Sequence, residues 1–181
     1  MILITGGLGY LGARIAENLL KSGLKVRIAS SRNNPYVPEQ LKSCEIIKID
    51  LTNQNSLNNA CKGIISVIHL AALNAKECEI DPNKAKVINS EGTLKLLKSS
   101  LKNKVSCFLY FSTSHVYGPQ LSGIVDEKNP YQECNSYSKS HKIAEDYVLN
   151  FNTENLTTTV FRLSNVIGSP LYKDTNCWML I

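Results

Sequence analysis

At 181 residues, with 43% apolar and 19% charged side chains, the chain has the size and composition of one globular domain and excludes a two-lobed enzyme, a disordered segment or a coiled coil. Its net charge of +5 comes from twenty Lys and Arg spread along the chain, with no basic run longer than two residues. Such mild basicity suits anionic small molecules as well as nucleic acid and decides nothing alone. The six cysteines, Cys44, Cys61, Cys78, Cys107, Cys134 and Cys177, stand 17 to 43 residues apart with no CxxC, which indicates neither a zinc site nor a disulfide framework. No apolar stretch is long enough to span a bilayer, and the strand-like run Met1 to Thr5 opens without a charged leader, so a cytoplasmic protein that meets neither membrane nor nucleic acid is expected.

Taken in chain order, short apolar runs alternate with segments of helical period. Strands are predicted at Ile2 to Thr5, Lys25 to Ser30, Glu45 to Ile49, Ser66 to Leu70, Cys107 to Ser112 and Thr158 to Leu163. Helices are predicted at Leu11 to Ser22, Ser56 to Cys61, Pro82 to Ser99 and Tyr137 to Phe151. Strands that alternate with helices need crossovers, so the predicted fold class is α/β, a doubly wound parallel sheet of Rossmann type covered on both faces and filling one domain, residues 1–181. The longest irregular segment, His115 to Ser136, is long for a compact domain and reads as functional.

The first strand runs directly into Thr5-Gly6-Gly7-Leu8-Gly9-Tyr10-Leu11-Gly12 and then an amphipathic helix. Gly6 suits the tight turn, Gly9 lets backbone approach a pyrophosphate, and Gly12 lets the helix lie close on the strand. The helix N-terminus offers unpaired N–H groups to phosphate. Glycines also mark ordinary turns; it is the strand-to-helix placement in the first βα unit that makes this a dinucleotide-binding signal.

With this turn, the chain resembles the extended short-chain dehydrogenase/reductase superfamily, in its nucleotide-sugar epimerase/dehydratase branch. The likeness runs in order through Asp50-Leu51, His69-Leu70-Ala71-Ala72, Asn89 with Glu91-Gly92-Thr93, Ser112-Thr113-Ser114-His115-Val116-Tyr117-Gly118, Tyr137, and Arg162-Leu163-Ser164-Asn165-Val166-Ile167-Gly168. It implies NAD(P) bound along Gly6, Gly9, Tyr10, Leu11, Gly12, Arg32, Asp50, Leu51, Leu70, Ala71, Ala72 and Asn89. Asp50 would accept from the adenine amino group; its competing role, capping the next helix, falls more naturally to Thr52 or Asn53. After the second strand the chain reads Ser30-Ser31-Arg32, with no acid for a ribose 2′-hydroxyl and a cation nearby, which leans toward NADP.

The resemblance also implies a reacting centre. Thr113 falls at the catalytic Ser/Thr and Tyr137 at the catalytic tyrosine, which takes the proton of a sugar hydroxyl while hydride leaves the same carbon. Dehydratases of the branch carry Asp-Glu after the Ser/Thr; here Ser114 and His115 stand there, which disfavours dehydration and leaves epimerisation or carbonyl reduction of a nucleotide-sugar. His115 and Asn165 are candidate substrate contacts. His69 reads as a strand-end residue lining the cofactor cleft, and no metal is expected.

The departure lies four residues after Tyr137. The branch has lysine there, and this chain has His141. On a helix, position 141 lies roughly 40° from Tyr137, whereas Lys142 and Lys139 lie roughly 140° and 160° away, so neither substitutes simply. A unit charge about 5 Å from the phenol, at an effective dielectric near 20, is worth roughly 3 kcal/mol or about 2 pKa units. An ordinary histidine supplies only a fraction of that near neutrality. Either Tyr137 is under-activated or a neighbour keeps His141 charged. Members of the branch are also longer, with a C-terminal lobe that grips the substrate. Because the sequence stops at Trp178-Met179-Leu180-Ile181, a truncated chain is expected, with apolar surface that favours a homo-oligomer or a separate C-terminal segment. The alternative to a hydride-transfer enzyme is therefore a catalytically weak or inert NAD(P)-binding module, a remnant or a redox sensor.

Overall fold

In a computed structural model, residues 1–120 and 122–172 are described. The terminal run Trp178 to Ile181 and Cys177 lie outside the described residues. Six apolar runs form strands β1 (Ile2–Thr5), β2 (Val26–Ser30), β3 (Glu45–Lys48), β4 (Ser66–His69), β5 (Cys107–Thr113) and β6 (Thr157–Leu163). They make one sheet of order β3-β2-β1-β4-β5-β6 in which every neighbouring pair is parallel. This is the dinucleotide-binding order, and its crevice opens between β1 and β4, where the direction of winding reverses.

Helix α1 (Tyr10–Lys21) crosses from β1 to β2, and α2 (Gln54–Ala60) from β3 to β4. Between β4 and β5 the chain forms α3 (Ala75–Ile80), α4 (Pro82–Ala85), a π-helical stretch Lys86–Glu91 and α5 (Gly92–Lys102); α6 (Ser136–Asn150) returns to β6. Helix α3 is absent from the sequence prediction. It is held by a capping box, with Asn74 accepting from Glu77 N and the Glu77 carboxylate accepting from Asn74 N, a local signal inside a stretch of weak helical period. The single helix predicted over Pro82 to Ser99 is interrupted by the π-helical stretch, which turns Asn89 and Ser90 inward to full burial. The irregular segment after β5 begins with a 3-10 turn, Ser114–Tyr117.

Two cores flank the sheet. On one face, Leu57 of α2, Leu96 and Leu97 of α5, and Ala144 and Val148 of α6 pack against Leu3, Val67, Phe108 and Tyr110. On the other, Ala13 and Ala16 of α1 pack against Ile4, Ile28 and Leu41. On that second face Ile68 of β4 is buried in the same core, and Leu109 and Phe111 of β5 pack against it in part. Over β5 and β6 no helix lies among the described residues: the Phe111 and Phe161 rings pair at 5.1 Å, and Phe161 is 42% exposed. Both faces of the sheet thus carry helices, α2, α5 and α6 on one and α1 on the other, as a doubly wound sheet requires.

Candidate active-site cleft

A cleft of about 520 Å³ runs along the carboxyl ends of β1, β4, β5 and β6. At one end stands the glycine turn. Gly6 has φ +70°, and a side chain there would meet Ala71 N at 3.0 Å, so the turn lies tight against the end of β4. At Gly12 an added Cβ would sit 2.4 Å from Gly6 O, so only glycine lets α1 come this close. Among the described residues the one atom near a Cβ added at Gly9 is Gly6 O, at 3.1 Å, and no side chain caps the helix N-terminus. Open space beside uncapped N–H groups is what a diphosphate requires, so the residues present fit a dinucleotide.

Tyr10, Leu11, Leu70 and Ala72 also line the cleft. Ala71 N instead donates to Thr5 Oγ1 at 3.3 Å. The remaining predicted cofactor residues are placed elsewhere. Arg32 is exposed on the loop after β2. Asp50 is exposed after β3, its Oδ1 accepting from Thr52 N at 2.8 Å and Thr52 Oγ1 at 2.7 Å, contacts that hold its carboxyl below the usual range; the helix cap is Asn53. Leu51 packs in the core, where its Cβ stands 3.0 Å from the place a Gly92 side chain would occupy. Asn89 is buried beneath the cleft; it accepts from Leu73 N at 2.7 Å and donates to Ser140 Oγ at 3.1 Å, tying the loop after β4 to α6.

His69 does not line the cleft and is corrected from that role. It is fully buried between Thr5 and Thr93. Thr93 Oγ1 donates to Asn89 O at 2.6 Å, so it accepts from His69 Nε2–H, and His69 Nδ1 accepts from Thr5. Burial lowers the His69 pKa to about 3. The Thr of Glu91-Gly92-Thr93 thus holds a neutral imidazole under the cleft floor.

The other end carries chemistry. Thr113 closes β5, Tyr137 and His141 come from the first turns of α6, and His115 and Asn165 border the same space. The His115 ring meets that of Tyr137 edge-on at 5.7 Å. Burial raises the Tyr137 pKa, and the hydrogen bond from Thr113 offsets only part of that rise. His141 is 3% exposed, its Nδ1 lies 2.8 Å from Tyr110 Oη, and its ring meets Tyr137 at 4.5 Å. Desolvation and the nearby His115 lower its pKa to about 4, so near neutrality it carries no charge. The two lysines point away as the helix geometry predicts, Lys139 to Glu133 at 2.8 Å and Lys142 to Asp146.

Two residues were given no role from the sequence, Ser112 and Tyr110. Ser112 and His141 line the cleft, and their buried Oγ and Nε2 have no hydrogen-bond partner among the described residues. Tyr110 shares the inward face of β5 with Ser112; a tyrosine at an inward position of a strand that faces α6 was the signal available.

The two buried imidazoles make stability pH-dependent. Unfolded histidines take up protons near pH 6.5, whereas the folded ones do so only near 4 and 3, so the stability they contribute is complete above about pH 6.5 and is lost as pH falls toward 4. Urea unfolding at pH 7 and pH 5 is expected to show a loss of roughly 1–4 kcal/mol, smaller in His141→Phe. Equal stability at both pH values would show that the imidazoles are not held neutral.

Residues 2–177 match the model of the NAD dependent epimerase/dehydratase family. The chain belongs to that family. It is 30% identical over 181 residues to a probable UDP-arabinose 4-epimerase of Arabidopsis thaliana, an alignment that covers 93% of this chain and 44% of that protein. It is also 30% identical to a UDP-N-acetyl-alpha-D-glucosaminuronate decarboxylase of Bacillus cytotoxicus, over 95% of this chain and 56% of that one. Among solved structures it superposes on the UDP-glucose 4-epimerase of Thermotoga maritima bound to UDP-glucose with a TM-score of 0.83, at 26% identity, over 92% of this chain and 56% of the other. For MoeE5 in complex with UDP-glucose and NAD the TM-score is 0.79 at 26% identity, over 89% and 53%. The chain therefore spans about half the length of the relatives it matches. Among the described residues no helix is long and apolar enough to cross a membrane.

Proposed function

We propose that this chain is the dinucleotide-binding part of an epimerase or reductase that acts on a nucleotide-sugar by hydride transfer. The observation that carries the proposal is the single cleft that joins the uncapped N-terminus of α1 to Thr113 and Tyr137. A nicotinamide ring bound there would supply the acceptor and donor of hydride. The turn at Gly6, Gly9 and Gly12, with the N–H groups of Tyr10 and Leu11, would bind the diphosphate. Asp50 and Leu51 would meet the adenine, and Leu70, Ala71 and Ala72 would flank the path to the nicotinamide. Asn89 would act by fixing that path. Thr113 would orient the reacting hydroxyl, and Tyr137 would take its proton and return it. His115 and Asn165 would touch the sugar. MoeE5 was solved with NAD, whereas Arg32 and the absence of an acid at Ser30-Ser31-Arg32 favour NADP in this chain.

A second reading is favoured by one observation, the neutral state of His141 beside a tyrosine of raised pKa. It keeps the dinucleotide and gives up efficient turnover, as in a weak or inert NAD(P)-binding module. Calorimetry with NAD, NADH, NADP and NADPH tests what both readings share. Binding of at least one is expected, and no heat from any of the four at about millimolar concentration would sink both. Arg32→Ala is expected to weaken NADP about tenfold and NAD little. An equal effect on the two would remove the NADP preference.

A further inference from the structure

Tyr110 Oη and His141 Nδ1, 2.8 Å apart, are each buried and offer each other the one hydrogen bond that both have among the described side chains. Two proton arrangements fit this contact. If His141 Nδ1–H donated to the phenol oxygen, the phenol hydrogen and the Nε2 lone pair would both be buried without partners. If the phenol donates to Nδ1, one donor is left over, the Nε2–H. The second arrangement strands fewer groups, and burial together with Glu145 keeps Tyr110 firmly protonated, so its hydrogen is there to give. In an imidazole the two nitrogens point in nearly opposite directions. With Nδ1 turned inward to β5, Nε2 points away from that strand on a residue that lines the cleft, and this buried nitrogen has no partner among the described residues.

We infer that Tyr110 is a positioning residue that fixes the tautomer of His141, so that Nε2–H serves the cleft as an uncharged donor to a hydroxyl oxygen of the bound ligand. The inference deepens the proposed function and rests on it only for the ligand. The titratable groups that face this imidazole are His115 at the mouth, Tyr137 on its own helix, Tyr110 on β5 and, behind Tyr110, His69. None of them is a carboxylate. Glu145, the nearest buried acid on α6, is engaged by Arg162 through both oxygens. Nothing around the ring therefore supports an imidazolium, and a donor that must work at neutral pH has to be the Nε2–H of the neutral form. The hydroxyl it serves belongs either to a ribose of the dinucleotide or to the sugar of the substrate.

Ring nitrogen NMR of the chain labelled in histidine reads the tautomer directly. His141 is expected in the Nε2–H form from about pH 5.5 to 8, with no titration in that range. In Tyr110→Phe, which keeps the ring and removes the hydroxyl, the signal should shift toward a mixture of the two tautomers. NAD should move the Nε2–H resonance if the acceptor is a ribose hydroxyl, and UDP-glucose should move it if the acceptor is a sugar hydroxyl. Tyr110→Phe should weaken whichever ligand moves it by about tenfold. A bare Nε2 in the parent chain, or a ring that titrates near its ordinary value, would overturn the inference whether or not the variant folds. So would an Nε2–H signal that stays still while calorimetry records a bound ligand. No heat from either ligand with the tautomer as described would instead sink the cofactor reading and leave the role of Tyr110 standing.

Discussion

Replacing Arg162 by alanine is expected to lower the free energy of unfolding by about 3–5 kcal/mol. Glu145 is fully buried on α6, and Arg162 on β6 engages both of its oxygens, from Nε at 3.1 Å each and from Nη2 at 2.7 Å. The same guanidinium donates to Tyr117 Oη at 2.9 Å and lies 4.8 Å from the centre of the Tyr117 ring. Glu145 raises the already high Arg162 pKa further, so the guanidinium stays charged at any pH at which the protein folds. Deleting the arginine leaves a carboxylate in the core without a counter-charge, which is far worse than deleting both partners. The double variant Arg162→Met/Glu145→Leu, of similar volume, is therefore expected to come within about 1–2 kcal/mol of the parent. Urea unfolding of the parent and both variants checks this. A loss of under about 1 kcal/mol in Arg162→Ala would mean that water reaches Glu145. The pair also joins α6, which carries Tyr137 and His141, to the turn that follows Thr113, so the single variant should lose its ligands along with its stability.

This ion pair was not legible in the sequence, although Arg162 opens a motif that was. Glu145 is one of four charged residues on α6, and nothing in its spacing says that, alone among those four, it is buried to meet a residue 17 positions away. The six strands, by contrast, were read to within two residues at either end, because β-branched runs between turn residues leave few other structures open. Lys25, Ile49 and Leu70 fall just outside the strands to which they were assigned. The glycine turn was legible in full, since the chemistry of each glycine is local. Motif residues whose partners are distant were harder. The sequence marks Asn89, Thr93 and His69 as special but cannot distinguish a residue that touches the cofactor from one that supports the residues that do. Asn89 supports Leu73, and Thr93 supports His69. Tyr110 was missed for the same reason, because its partner His141 belongs to an element 31 residues away.

Replacing His141 by lysine is expected to lower the pKa of the Tyr137 phenol by about 2 units. The sequence left two accounts of His141 open, an uncharged stand-in or an imidazolium held by a neighbour. The structure favours the first: the ring is buried, no carboxylate faces it, and its pKa falls to about 4. Tyr137 is left with the rise that burial imposes and only the Thr113 hydrogen bond against it. A permanent ammonium about 5 Å from the phenol oxygen would act on the tyrosinate alone, and at an effective dielectric near 20 that is worth roughly 3 kcal/mol. Two effects oppose it. The site is nearly closed to water, so part of the gain is lost in desolvating the lysine, and Tyr110 loses the acceptor for its hydroxyl. Titration of the Tyr137 ring by carbon NMR measures the shift in this chain without any turnover. A phenol pKa unchanged by the lysine would show that the ammonium escapes to solvent. The functional consequence is read from the pH–rate profile of a protein that carries the full length of the relatives. If His141 is only a weak substitute, the lysine variant is faster at neutral pH and its basic limb moves down. If the cleft is built around a neutral donor, the longer side chain displaces the hydroxyl that Nε2–H would hold, and the parent matches or beats the variant at every pH. That second profile would exclude a degenerate enzyme and make the neutral imidazole a working member of the site.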